Sequence, residues 1–137
     1  IYVVLRGNLL DIPFSLCRID SRLDSVVQVF NDIPAWNLAI HNDTAYIYHY
    51  SVQGGENSVK VFDCLTETII SDQFISDGTP ITRPYAIEVN PYSGDVYICD
   101  AYDYTLWGDC LCFSAEGNLK FRFESVGLNP SSLVFVK

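Results

Sequence analysis

The sequence has no methionine, and none of its apolar runs approaches the length that a membrane-spanning helix requires. None of the 137 residues is Met. A helix needs about 20 consecutive apolar residues to cross a bilayer. The chain begins directly on a strand-like run, from Ile1 to Leu5. We therefore expect a fragment of a longer protein, with any signal peptide or lipid-attachment segment upstream of it.

Basic residues are also scarce. The chain has 8 Lys and Arg against 17 Asp and Glu, which gives a net charge of −9 at pH 7. Proteins that bind nucleic acid present clustered Lys and Arg to the phosphates. The composition therefore argues against nucleic acid as a partner, and solubility is the preferred explanation of the acidity.

Patterns typical of metal sites and catalytic sites are missing as well. His41 and His49 lie on separate predicted strands, neither with a second ligand at metal spacing, so we expect no metal and no cofactor. The sequence has no GxSxG, HExxH or P-loop motif and no Cys/His pairing that indicates a nucleophile. We expect a protein without catalytic activity; the alternative is an enzyme that uses loop carboxylates, which cannot be paired without geometry.

The five cysteines show no CxxC spacing. Cys110 and Cys112 are two residues apart in a predicted strand, so they point to one face and diverge along it, which argues against a bond between them. Cys99 could face either of them from the neighbouring strand. Buried thiols that act as small apolar side chains are the expectation here, and a disulfide is the alternative. The other two cysteines are Cys17 and Cys64.

What the chain does contain is a long internal repeat. Residues 38–70 align with residues 86–121, with a longer turn in the second copy. Matched positions include Ile40 with Ile87, Tyr46 with Tyr97, and Phe62 with Phe113. Repeats of about 40 to 50 residues, made of short β patterns with turn signals between them, are typical of propeller blades.

Each copy divides into four predicted strands. In the first copy these cover residues 38–41, 45–48, 58–63 and 68–74; in the second they cover 86–89, 96–99, 110–114 and 119–124. Turn signals such as Asn42-Asp43 and Pro91 to Asp95 separate them. The ends of the chain match only parts of the repeat. The expected organisation is a partial blade at 1–30, blades at 38–74 and 86–124, and a closing first strand at 132–136.

The predicted fold is therefore all-β, with blades of four-stranded antiparallel sheets. About three blades fit in this length, which is too few to close a propeller ring. The competing fold is a β-sandwich or small barrel, which also has short strands at regular spacing. A sandwich gives no reason for a sequence repeat at a fixed period, so the propeller is the preferred interpretation.

Five runs of residues are similar to those of a known family. The most specific is VNPYSGDVYICDAYDY at residues 89–104. The others are RGN at 6–8, IP at 12–13, HNDTAYIY at 41–48 and KVFDCLTE at 60–67. With these runs the chain resembles the YncE-like, YVTN-type propellers of Bacteroidetes surface proteins. The resemblance covers essentially the whole chain and is strongest to the C-terminal blades of a subgroup classed as a domain of unknown function.

The resemblance implies a seven-bladed ring, export to the cell envelope and no established catalytic residues. One branch of similar surface lipoproteins captures cobalamin for an outer-membrane transporter. The ligand contacts of that branch cannot be matched to individual residues of this sequence. The resemblance therefore implies binding at the cell surface, on the outer membrane or in the periplasm, and leaves the ligand open.

Propellers bind ligands on the face formed by the loops that join second to third strands and fourth to next first strands. These loops are predicted here at residues 6–14, 31–37, 49–57, 76–85, 100–109 and 126–131. Aromatic side chains with polar partners suit a flat or amphipathic ligand. The predicted ligand-binding residues are Arg6, Trp36, Tyr50, Arg83, Tyr85, Tyr102, Asp103, Tyr104 and Trp107.

Two alternatives remain open for these residues. The aromatic side chains, Trp107 and Tyr104 above all, could instead pack between blades. Arg6 and Arg83 could form ordinary ion pairs with Asp100 or Asp103, or bind an anionic ligand group. The expected function is the binding of a small molecule such as a corrinoid or a glycan; the alternative is a protein-interaction scaffold in a surface transport or glycan-utilisation complex.

Overall fold

The structure is a computed structural model that describes residues 1–8, 10–51 and 57–137. The middle of the predicted loop at 49–57, and Leu9 within the predicted loop at 6–14, lie outside the described residues. Strands and connecting turns make up the described chain, and no helix in it has the length and apolar character needed to cross a membrane. The strands are β1 (Tyr2–Leu5), β2 (Ser15–Asp20), β3 (Ser25–Phe30), β4 (Asn37–His41), β5 (Thr44–His49), β6 (Ser58–Asp63), β7 (Thr68–Ser71), β8 (Pro84–Val89), β9 (Val96–Asp100), β10 (Trp107–Phe113) and β11 (Leu119–Leu128).

The first compact unit, Ile1–Asn37, contains a three-stranded antiparallel sheet in the order β1-β2-β3. Its strands lie within residues 1–30, where the sequence predicts a partial blade. Leu16 and Cys17 on β2 and Phe30 on β3 are buried, together with Ile33 and Ala35 in the segment that follows. Burying these apolar side chains on one small sheet is what stabilises the unit.

The second compact unit, Leu38–Lys137, contains two four-stranded sheets. One has the order β4-β5-β6-β7 and the other β8-β9-β10-β11, and every pairing in the two sheets is antiparallel between sequence neighbours. This confirms the all-β prediction of four-stranded antiparallel blades. A sandwich does not fit, because its Greek-key connections place sequence neighbours in different sheets.

The repeat positions have the same role in both sheets. Phe62 on β6 and Phe113 on β10 are each 0% exposed. Phe74 joins the two sheets, with its ring centre 5.0 Å from that of Tyr46 and 6.0 Å from that of Phe113. Edge-to-face contacts of this kind add to the apolar burial.

A glycine permits one close approach between these sheets. Gly117 has a φ of +82°, and a Cβ there would lie 1.7 Å from the carbonyl oxygen of Phe74. Its carbonyl accepts the N–H of Ser76 at 3.0 Å. Only glycine fits this position, because any side chain would strain the backbone and collide with a neighbouring one.

The last hairpin is longer than the sequence predicted. β10 begins at Trp107 and not at residue 110, and β11 ends at Leu128 and not at 124. The sequence predicts loops at 100–109 and 126–131, yet Gly108 pairs with Gly127 and the ladder resumes at the pair of Cys110 and Phe123. Between these pairs one residue of β10, Asp109, faces residues 124–126 of β11. Such an irregularity interrupts the ladder without ending the strand, and it is hard to recognise from sequence.

The predicted closing strand at 132–136 is not a strand in the structure. Its side chains nevertheless alternate between packed and exposed. Leu133 packs on the buried cluster of Ala86, Cys99 and Cys110, whereas Val134 is 84% exposed. Phe135 adds a ring contact with Tyr97, at 5.1 Å between centres. The segment covers the face of the β8-β9-β10-β11 sheet by side-chain packing, and no strand of the described chain pairs with it. The closing strand, which is expected to complete a blade with a part of the protein outside this chain, stays a prediction.

Candidate functional site

An arginine held among tyrosines is the most distinctive arrangement in the second unit. The guanidinium carbon of Arg83 lies 4.9 Å from the ring centre of Tyr50 and 4.5 Å from that of Tyr104. Tyr85 meets Tyr104 edge to face, at 5.7 Å between centres. Four of the nine predicted ligand-binding residues therefore come together, and we call them the Arg83 cluster.

Asp100 positions the backbone beneath this cluster. It ends β9, is 2% exposed, and its Oδ2 accepts the N–H of Thr82 at 2.7 Å. Its Oδ1 accepts the N–H groups of Arg83 at 2.8 Å and Tyr102 at 2.9 Å. One carboxylate thus holds the loop that carries Arg83 against the loop that carries Tyr104.

The Thr82–Arg83 loop has a further support from the side chain of Asn57. Its amide nitrogen donates to the carbonyl oxygen of Thr82 at 2.7 Å, and its amide oxygen accepts the N–H of Ser51 at 3.3 Å. Asn57 therefore bridges the segments that hold Tyr50 and Arg83. Bridging bonds of this kind reduce the freedom of both segments before a ligand arrives.

The guanidinium of Arg83 forms no ion pair with any described residue. Its Nε is buried and has no hydrogen-bond partner there. The structure has no ion pair of Arg83 with Asp100 or Asp103. Asp100 accepts the backbone N–H of Arg83, and Asp103 accepts donors from its own turn. Buried donors without a partner carry an energetic cost, and a ligand oxygen would relieve it.

Asp103 organises its own turn. Its Oδ1 accepts the N–H of Thr105 at 2.9 Å, the Thr105 hydroxyl at 2.9 Å and the N–H of Leu106 at 3.0 Å. The bond from the Thr105 N–H is the main reason that the pKa of Asp103 lies below its usual value. The flanking residues Tyr102 and Tyr104 have φ of +50° and +70°. Non-glycine residues rarely adopt this region, and such strain is often found at functional sites.

Tyr102 points to a buried carboxylate. Its hydroxyl donates to Asp109 Oδ2 at 2.5 Å, and Asp109 is 5% exposed. This hydrogen bond, followed by burial, raises the pKa of Tyr102 to about 12. Asp109 also accepts the N–H of Ser125 at 2.9 Å and faces Arg122 Nη1 at 3.5 Å. The structure thus gives the Tyr102 hydroxyl a bond that braces the loop.

Trp107 lies in a strand and not in a loop. It begins β10, pairs with Leu128 of β11, and is 62% exposed. Its neighbour Leu106 is 58% exposed and Leu128 is 56% exposed. We call these three exposed apolar residues the exposed apolar strip: Trp107 and Leu128 are register partners, and Leu106 precedes Trp107 in the sequence. The exposure of Trp107 does not support the alternative of packing between blades.

Arg6 and Trp36 come together in the first unit. Arg6 Nε donates to the carbonyl oxygen of Trp36 at 3.1 Å, and its guanidinium carbon lies 5.0 Å from the indole centre. Phe14 stacks on Trp36 at 5.3 Å between ring centres. Arg6 therefore has a hydrogen-bond partner at Nε, unlike Arg83.

A small cavity opens next to the loop that carries Arg83. It has a volume of about 220 Å³ and mixes amide and hydroxyl groups with apolar side chains. It is lined by Asn57, Ser58, Val59, Gln73, Phe74, Ile75, Gly78, Thr79, Ile81 and Pro84. Ligand sites for drug-sized molecules usually hold about 300 to 1,000 Å³, so this cavity suits only a small group.

The described residues contain no group of three or more His, Cys, Asp and Glu side chains that could hold a metal ion. Burial lowers the pKa of His49 below its usual value. His41 lies on β4, His49 on β5. The chemistry that the described site offers is thus hydrogen bonding, charge and aromatic stacking.

The chain was compared with protein-family models and with curated proteins, and neither comparison gave a match.

Proposed function

We propose that this chain is part of a YncE-like, ligand-binding propeller of the cell envelope, and that it binds a small molecule at the Arg83 cluster. The observation that carries the proposal is the guanidinium of Arg83, which lies over the rings of Tyr50 and Tyr104 with no described carboxylate partner. The sequence resemblance supports the envelope location and a role without catalysis. No cofactor or nucleic acid is part of the proposal.

The cluster offers two kinds of contact. Tyrosine rings provide flat apolar faces with polar tips, which suit sugars and planar rings. Arginine presents several N–H donors in a fixed plane and keeps its charge. A ligand with an oxygen acceptor beside a flat or apolar face would satisfy both at once.

The size of the cavity separates the two ligand classes. A cavity of about 220 Å³ can take a single sugar ring but not a macrocycle. A glycan could therefore place one residue in the cavity and stack the next on the tyrosines. A corrinoid would have to lie across the Arg83 cluster from outside, which makes a glycan the better-supported ligand.

The first prediction concerns Arg83. In a thermal-shift screen with cobalamins, oligosaccharides and peptidoglycan fragments, one class is expected to raise the melting temperature, because a ligand that binds only the folded state stabilises it. Arg83→Gln is expected to weaken binding of that ligand about 10- to 100-fold, since a hydrogen bond to a charged group is worth about 1.5 to 3 kcal/mol. Calorimetric titration measures the change.

Arg6→Gln is the matched control, because it removes an arginine stacked on an aromatic ring in the other unit. It is expected to leave the affinity unchanged. Equal affinities for Arg83→Gln and the unaltered protein, with a ligand in hand, would rule out the Arg83 cluster as the site. A loss with Arg6→Gln alone would move the site to the first unit.

The second candidate function is a protein-interaction scaffold. It is favoured by the exposed apolar strip of Leu106, Trp107 and Leu128, because exposed apolar groups of this kind often mark protein contacts. No melting shift with any small molecule, together with a protein that co-purifies and is lost from Trp107→Ala, would favour the scaffold. Retention of that protein by Trp107→Ala would contradict a contact through the strip.

A further inference from the structure

Two buried cysteines lie directly opposite each other on adjacent strands. Cys99 on β9 is the register partner of Cys110 on β10. They are 1% and 4% exposed and belong to one buried cluster with Ala86. Directly opposed residues of antiparallel strands have Cα atoms about 4.5 or 5.5 Å apart, and disulfides form at about 4.4 to 6.8 Å.

The other cysteines are placed differently. Cys112 points to the same face as Cys110 but is opposite Tyr97. Cys64 follows β6 in a turn of another sheet, and Cys17 lies in β2 of the first unit. Among the five cysteines, only Cys99 and Cys110 are thus opposed across a ladder.

We propose that Cys99 and Cys110 form a modification site. A small-molecule disulfide acts there as the oxidant and converts the two thiols into a disulfide bond between β9 and β10. In the structure both are thiols. Because both are buried, the bond would form while β9 and β10 are coming together or after local opening of the hairpin. It would persist in an oxidising compartment.

The reaction balances with glutathione disulfide as oxidant. The Cys110 thiolate attacks one sulfur of glutathione disulfide, which breaks its S–S bond and releases one glutathione thiolate. The Cys99 thiolate then attacks the Cys110 sulfur in the mixed disulfide and releases the second. The two cysteines lose two electrons and two protons, and two molecules of reduced glutathione carry them.

The order of attack does not decide the outcome. In the folded protein the hydrogen bond with Cys99 lowers the pKa of the Cys110 thiol, but both thiols are buried there. The reaction takes place in the opened hairpin, where that bond is absent, and the same disulfide results whichever thiolate attacks first.

The experiment refolds the whole chain in a buffer of reduced and oxidised glutathione, then alkylates the remaining thiols in denaturant. Mass spectrometry is expected to find three of the five cysteines alkylated. Chymotrypsin cuts at the aromatic residues between Cys99 and Cys110, and the peptide of residues 108–113 that it releases carries both Cys110 and Cys112. Fragmentation of the joined peptides in the mass spectrometer should assign the bond to Cys110 and the alkyl group to Cys112. The melting temperature should be about 5 to 10 °C above that of the reduced protein, because the bond closes a loop in the unfolded chain and so lowers its conformational entropy.

Cys110→Ala should abolish both the linkage and the melting shift, whereas Cys112→Ala on the same face should keep both. Five alkylated cysteines after oxidative refolding would overturn the proposal, as would a linkage through Cys112. The peptide map of the unaltered chain shows which cysteines are joined, even if a variant fails to fold. A map that joins Cys99 to Cys110 supports the proposal without any substitution.

Discussion

Asp100→Ala is expected to lower the free energy of unfolding by about 3 kcal/mol or more. The carboxylate is buried and accepts three backbone N–H groups, from Thr82, Arg83 and Tyr102. Alanine accepts none of them, and each buried donor left without a partner costs about 1 to 3 kcal/mol. Denaturant unfolding, followed by tryptophan fluorescence, measures the loss.

Two substitutions serve as controls. Asp103→Ala, three residues along, also removes an acceptor of several bonds, but the turn is exposed and water replaces the carboxylate. A much smaller loss is expected there. Asp100→Asn keeps one acceptor oxygen and should fall between the two. A loss for Asp103→Ala equal to that for Asp100→Ala would mean that burial does not set the cost.

Phe113→Ala is expected to cost about 3 to 5 kcal/mol, the range for removing a buried aromatic side chain. Phe113 is 0% exposed and meets Phe74, which joins the two sheets. The cavity left behind would weaken the contact between them. Denaturant unfolding should show a lower midpoint with an unchanged slope if the folded state stays compact.

Trp107→Ala on the same strand is the comparison for that result. Its side chain is 62% exposed, and exposed substitutions usually change stability by about 0.5 kcal/mol or less. The two variants remove aromatic side chains from the two ends of β10. A large loss of stability for Trp107→Ala would show that the tryptophan is packed. The exposed apolar strip would then no longer be a candidate surface for contact with a partner protein.

The sheets could be predicted because the information for them is local. Strand periodicity and turn residues around positions such as Asn42 and Gly94 act over a few residues, and the repeat supplies the same pattern twice. The end of the last hairpin could not be predicted in this way. Gly108 and Gly127 are typical of a loop, and the ladder between them depends on a cross-strand approach that no single strand encodes.

The candidate site could be predicted from the sequence only in part, for the same reason. Composition marked the loops as aromatic, and Tyr50, Arg83 and Tyr104, three of the nine residues predicted there, lie together in the structure. The roles of the carboxylates depend on three-dimensional contacts. Asp100 follows a strand and could have been noticed as a loop support, but the bond from Tyr102 to Asp109 requires a register that the sequence does not show.

The ten-residue strand β11 has a consequence for how the chain behaves at high concentration. It is the outer strand of its sheet and therefore presents unpaired backbone groups, which can recruit a second chain. Lys120, Arg122 and Glu124 alternate along it, and the irregularity near Ser125, with its φ of +54°, bends its end. Charge and bend both oppose strand addition, so we expect this edge to resist fibril growth even though Phe121 and Phe123 lie on it.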